Sequence, residues 1–186
     1  MPSAPPSPTT ERPRWGYRCA TVPTPWGTLQ FECDADGALL ALYRLPANAP
    51  FAPYAAAAGD PVAEALRDYC QGRPGPLMGL PYRLAEGTAF QRAVWRLLEE
   101  VPLGETRSYA WMAERLGKPG GARAVGQALA KNPLLLRLPC HRVVQSGGAV
   151  GGFFGCTEAD SVGMKRELLQ LERQACQPDR SAATVG

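Results

Sequence analysis

Apolar residues gather in three early stretches separated by turns. Residues 17–22, the alternating run Gly27-Thr28-Leu29-Gln30-Phe31-Glu32-Cys33 and the mostly apolar residues 39–45 are rich in β-forming residues, which predicts β-strands. Pro25-Trp26-Gly27 and Asp34-Ala35-Asp36-Gly37 supply the turns between them. Proline and alanine fill residues 46–59, a predicted loop. At Asp60-Pro61 the period changes to helical: Asp60 can cap, proline suits the first turn, and Val62, Leu66 and Tyr69 share one face. Gly72-Arg73-Pro74-Gly75-Pro76 ends that helix. Nothing in this first third suggests chemistry, so it reads as scaffold.

The later part of the chain is mostly helical in pattern. Thr88 caps a predicted helix with Phe90, Val94, Leu97 and Leu98 inward, and Pro102-Leu103-Gly104 breaks it. Ser108 caps a second helix with Met112, Ala113 and Leu116 inward, and Gly117 stops it. After the turn Lys118-Pro119-Gly120-Gly121, residues 122–131 form a third. Two short helices around a glycine turn make a helix-turn-helix pattern, which many helical hairpins share without binding DNA. Asn132-Pro133 ends the third helix, and the apolar run Leu134-Leu135-Leu136 predicts a strand that stops at Pro139. A last helix is expected from Lys165. The fold class is therefore α+β. Residues 14–82 form a small N-terminal α/β domain, and residues 84–173 a mainly helical C-terminal domain.

Composition narrows the possibilities. At 186 residues the chain suits one or two small domains. No apolar run approaches a membrane span. Residues 1–13 are rich in Pro, Ser and Thr and read as a disordered arm, with a disordered tail at 174–186. Six dispersed cysteines without a C-x-x-C pair, and one histidine, argue against a zinc site and against a disulfide framework. A cytoplasmic protein with free thiols and no metal is the economical expectation. The formal charge is only +3, but residues 103–152 hold seven basic side chains against two acidic ones. Positive charge is concentrated on the helix-turn-helix region.

Cys140 and His141 are the candidate chemical pair. A thiol is nucleophilic as thiolate and needs a proton acceptor, and His141 is the one imidazole in the chain. Neighbours on a strand point to opposite faces, so a bridging water or a bent backbone is the expected coupling. Against this stands the plain alternative of a buried inert cysteine beside a structural histidine. A Cys-His hydrolase normally draws its histidine from elsewhere in the chain, and a simple helix-turn-helix regulator leaves residues 139–143 unexplained.

The string Pro139-Cys140-His141-Arg142-Val143 resembles the active-site signature of the O6-alkylguanine-DNA alkyltransferases. Gly87-Thr88-x-Phe90-Gln91-x-x-Val94-Trp95, Val101-Pro102-x-Gly104-Glu105-Thr106-x-Ser108-Tyr109, Arg123-Ala124-Val125-Gly126 and Asn132-Pro133 are similar to that family in order and spacing. The resemblance covers residues 84–172 strongly. It implies a ribonuclease-H-like first domain and an activity without cofactor: irreversible, stoichiometric transfer of an alkyl group from O6-alkylguanine in double-stranded DNA to Cys140. The partner it implies is DNA entered through the minor groove by a monomer, with cooperation along DNA and repair of O4-alkylthymine left open. A relative that binds alkylated DNA without transfer is the alternative within the family.

The same resemblance assigns roles. His141 is the water-mediated base and Glu172 the carboxylate behind it, with Glu167 and Glu158 as nearby competitors. Asn132 braces the helix-turn-helix against the active-site turn. Tyr109 contacts the flipped guanine and its phosphate, and Arg123 fills the gap in the base stack. Small residues including Gly121, Ala122, Ala124, Gly126 and Ala128 allow close approach to the groove, and Arg142 is expected at the DNA. Val143, Phe153, Phe154 and Trp95 are assigned to the substrate pocket. The stretch 151–164 runs about five residues longer than the family's usual loop. It places Phe154 where a small or polar residue is common, brings Cys156 near the site, and suggests a mobile flap.

Overall fold

The computed structural model describes residues 17–46, 49, 55–153 and 159–177. Strands β1 (Arg18–Thr24), β2 (Gly27–Cys33) and β3 (Leu39–Arg44) form an antiparallel meander. Ala20, Val22, Leu29, Phe31, Leu39 and Leu42 are all buried, and the register of β2 with β3 shifts at Glu32/Cys33. Helix α1 (Pro61–Cys70) begins as expected: Asp60 accepts from the N–H groups of Val62 and Ala63, and Pro61 opens the first turn. A short helix α2 (Gly75–Gly79) follows, where the sequence suggested only a break.

Helix α3 (Ala89–Leu97) starts with a capping box between Thr88 and Gln91. Helix α4 (Tyr109–Arg115) is capped by Ser108 and stops at Gly117, whose φ of 66° is one that glycine adopts freely. Helix α5 (Ala122–Leu129) completes the helix-turn-helix. Gly121 must remain glycine at the turn, since a Cβ there would lie 2.8 Å from the Lys118 carbonyl oxygen. Trp95 ties α3 to α5 by donating its indole N–H to the Ala128 carbonyl at 2.8 Å.

Two features join the sheet to the later helices. The edge strand β3 makes parallel bridges to Tyr82 through Leu39 and to Leu134 through Leu42. Strand β4 (Arg107–Ser108) pairs in parallel with β5 (Val143–Val144), which sets the start of α4 beside the chain leaving Cys140. The buried side chains form one continuous cluster from Ala20 to Leu168.

The last helix, α6 (Ala159–Ala175), begins six residues before Lys165 and takes in Gly163. The segment read as a flap is thus helical over its last part, and Gly163 gives it no hinge. Its inward face carries Ser161, Met164, Lys165, Leu168, Leu169 and Glu172 at helical spacing. Two ionisable side chains, Lys165 and Glu172, stand on this largely apolar face.

Candidate active site

Only the single residue Leu134 of the apolar run pairs with β3; beyond it the chain turns instead of continuing as a strand. Leu136 sits at φ 65° in this turn while fully buried, a conformation that costs a non-glycine residue about 1–2 kcal/mol. Cys140, His141 and Arg142 then form one 3₁₀ turn. This bent backbone is one of the two couplings expected, and it lets both Cys140 and His141 lie in the interior.

Asn132 holds this turn. Its side-chain N–H donates to the Leu138 carbonyl at 2.8 Å, and its oxygen accepts from the Leu134 N–H at 3.0 Å. The residue that ends the helix-turn-helix thus fixes the loop that carries the thiol. Burial raises the Cys140 thiol above its ordinary value, opposed by a hydrogen bond from Asn132 and by the positive charge of Lys165.

His141 is completely buried, and its Nε2 lies 2.9 Å from Glu172 Oε1. With Nε2–H donated to the carboxylate, Nδ1 is left as the basic nitrogen. Among the described residues, His141 Nδ1 is the buried side-chain polar atom without a partner. Burial lowers the proton affinity of the imidazole, against the pull of Glu172. Burial alone would raise the Glu172 carboxyl, but the hydrogen bonds and charges of His141 and Arg142 hold it well below the usual carboxylate range.

Arg142 overturns its expected place at the DNA. The side chain is 5% exposed. It donates from Nε to Glu172 Oε2 at 2.8 Å, from Nη2 to Oε1 at 2.9 Å and from Nη1 to the Val101 carbonyl at 2.7 Å. These bonds commit the guanidinium to the interior. It is the counter-ion of Glu172.

Two further groups escaped sequence reading. Tyr69 of α1 donates its hydroxyl to Glu172 Oε1 at 2.6 Å, so the first third contributes a side chain to this cluster. Lys165 is fully buried, with Nζ 2.6 Å from the Val143 carbonyl, 3.2 Å from that of Gly152 and 3.5 Å from the Tyr109 hydroxyl. Burial lowers its pKa to about 8. The signal for Lys165 was its position in the apolar stripe of α6. For Tyr69, a tyrosine on an apolar helix face, the sequence offered none.

Other assignments divide. Tyr109 is half-buried above Gly126, whose Cβ would meet the Tyr109 ring at 3.7 Å. Arg123 and Ala124 are exposed on α5 and Ala122 is half-buried, whereas Ala128 faces the core. Phe153 is buried with its ring centroid 6.0 Å from Lys165 Nζ. Trp95 is corrected from pocket wall to packing residue, because its ring is buried and its N–H is spent on Ala128. Glu167 is exposed and accepts from the Trp26 indole at 2.8 Å, away from His141. Phe154, Cys156 and Glu158 lie outside the described residues, as do the arm 1–13 and most of the tail.

Comparison with known proteins agrees with this arrangement. Residues 89–174 match the family model for the 6-O-methylguanine DNA methyltransferase DNA-binding domain. A methylated-DNA–protein-cysteine methyltransferase of Mycolicibacterium paratuberculosis is 48% identical over 88 residues, which is 47% of this chain and 50% of that protein. The inducible enzyme of that name from Bacillus subtilis is 40% identical over 62% of this chain and 61% of its own length. The chain thus aligns with only about half the length of the first of these relatives. Solved structures extend the likeness. The Mycobacterium tuberculosis O6-methylguanine methyltransferase is 30% identical with a TM-score of 0.70, over 88% of this chain and 96% of that one. The M. tuberculosis OGT in complex with DNA is 32% identical with a TM-score of 0.69, over 86% and 93%. A buried Cys-His-Glu array behind a helix-turn-helix and these matches lead to one conclusion: the chain belongs to the O6-alkylguanine-DNA alkyltransferase family.

Proposed function

We propose that this protein repairs DNA by direct reversal, moving the alkyl group of an O6-alkylguanine onto Cys140 Sγ. The observation that carries the reading is the His141 imidazole, next to Cys140 in the chain, bound to Glu172 through Nε2 while its buried Nδ1 has no partner among the described residues. A water between Nδ1 and the thiol would pass the proton to His141. The thiolate then attacks the alkyl carbon: an S–C bond forms, the C–O6 bond breaks, and the purine oxyanion leaves. A thioether does not hydrolyse, so each molecule acts once.

The remaining residues fit parts of this reaction. Lys165 Nζ points at the Tyr109 oxygen, which leaves the phenol O–H free to donate to the extruded base. The Val143 carbonyl already accepts from Lys165, and its second lone pair is available to the guanine amine. Phe153, buried beside Lys165, walls the pocket. Arg123, exposed and without an ion pair among the described residues, replaces the flipped base in the stack. The flanking Ala122 and Ala124 keep that face of α5 low enough to enter a minor groove. In this reading residues 84–173 carry the chemistry on a scaffold of residues 14–82. The protein works in the cytoplasm as a monomer, without cofactor.

The test is a mass spectrum of the protein after incubation with duplex DNA containing one O6-methylguanine. One methyl group per molecule on the peptide containing Cys140 is expected. Released free product with unmodified protein indicates a hydrolase. Binding without transfer indicates a damage-recognition protein.

A further inference from the structure

Tyr69 reaches the site from α1. Its ring is fully buried, edge-to-face with Trp26 at 6.4 Å between centroids. Its hydroxyl donates to Glu172 Oε1 at 2.6 Å and lies 3.3 Å from His141 Nε2. One carboxylate oxygen therefore faces three donors: Tyr69, His141 Nε2 at 2.9 Å and Arg142 Nη2 at 2.9 Å. Burying a hydroxyl is costly unless it is hydrogen-bonded, and Glu172 Oε1 is the acceptor that receives this one.

We propose that Tyr69 is a positioning residue for alkyl transfer: it fixes the Glu172 carboxylate against His141 and, by sharing Oε1, weakens that carboxylate as a proton acceptor so that His141 stays neutral and able to take the Cys140 proton. The inference rests on the alkyl-transfer reading above. A hydrogen bond to a carboxylate favours its charged form and makes it a weaker base. A weaker base, in turn, stabilises an imidazolium less.

The groups around the imidazole come from three elements. The 3₁₀ turn contributes Cys140 and Arg142, α6 contributes Glu172 and Lys165, and α1 contributes Tyr69 with the Cys70 thiol next to it. Arg142 and Lys165 oppose a positive charge on His141, and Glu172 favours it. Tyr69 moderates the one favourable partner. Burial and the neighbouring Glu172 push the Tyr69 phenol well above its ordinary value, so it remains a donor throughout the working range.

The experiment compares the full chain with Tyr69→Phe in transfer from free O6-benzylguanine to Cys140 across pH. Losing the donor raises the proton affinity of His141, so the acid limb of the rate profile moves to higher pH. The variant is expected to be about fivefold slower near pH 6 and within about twofold of wild type near pH 8.5. Equal slowing at every pH, or no slowing, overturns the proposal. His141 is the one histidine in the sequence, so its ¹⁵N resonances give an independent titration. If wild type accepts no alkyl group, the function falls, and this titration decides Tyr69: a higher midpoint in Tyr69→Phe supports the role and an unchanged midpoint overturns it. Should Tyr69→Phe not fold, 3-fluorotyrosine at position 69 is the stronger donor of the same shape. It must lower the midpoint, and an unmoved midpoint overturns the proposal.

Discussion

Arg142 and Arg123 stand on two regions that could hardly differ more. Arg142, in the turn after Cys140, is buried and bound to both oxygens of Glu172. Arg123, on the outer face of α5, is exposed and has no ion pair among the described residues. Both lie in the basic stretch that drew attention as a DNA-binding region. The difference teaches that net charge locates such a region but does not say which cations face the partner. Arg142 neutralises a buried carboxylate, whereas Arg123 is left at the surface, where a phosphate or a base could meet it.

Substitutions can separate the two regions. The largest effect is expected in the buried turn: Cys140→Ala abolishes transfer yet keeps affinity for alkylated duplex, measured by a gel-shift titration beside the mass spectrum. An alkylated Cys156 peptide in wild type, with Cys140 unmodified, would overturn the assignment. Next is Arg142→Ala, which strands the Glu172 charge inside the protein. A loss of about 3–5 kcal/mol in denaturant-unfolding free energy is expected, together with lost transfer. A variant as stable as wild type means that Arg142 is not the counter-ion.

The same cluster predicts acid sensitivity. The folded-state pKa of Glu172 is depressed below its ordinary value of 4.5. Its contribution is therefore fully present above that value and is lost as pH falls from there toward the depressed one. Glu172→Gln is expected to flatten the acid limb of a stability-versus-pH curve, and an unaltered limb counts against the depressed carboxyl.

The exposed region gives the smaller effects. Arg123→Ala leaves stability within about 0.5 kcal/mol and reaction with free O6-benzylguanine unchanged, but slows repair of duplex at least about tenfold. Equal losses on both substrates would remove Arg123 from the base stack. Lys131, exposed at the end of the helix-turn-helix, is expected only to contact phosphate. Lys131→Ala is predicted to reduce the slope of log affinity against log salt by about 1, and an unchanged slope places Lys131 off the DNA.

Local rules determined much of this protein. The three strands follow from β-forming apolar runs between local turns, and the starts of α1, α3 and α4 follow from Asp60, Thr88 and Ser108, whose side chains cap the backbone only a few bonds away. Cys140, His141, Glu172 and Asn132 were legible through the family resemblance, because the motifs that carry it, including Lys165-x-x-Leu168-Leu169-x-x-Glu172, are local in the sequence. Tertiary structure decided the rest. It made a turn of the predicted strand after Leu134, since the bridge to Leu42 is brief and Asn132 captures the Leu138 carbonyl. It also drew Tyr69 and Arg142 onto Glu172 from 103 and 30 residues away. A helix face or a basic residue carries no mark of its distant partner, because burial and charge pairing are properties of surfaces that meet only when the chain has folded.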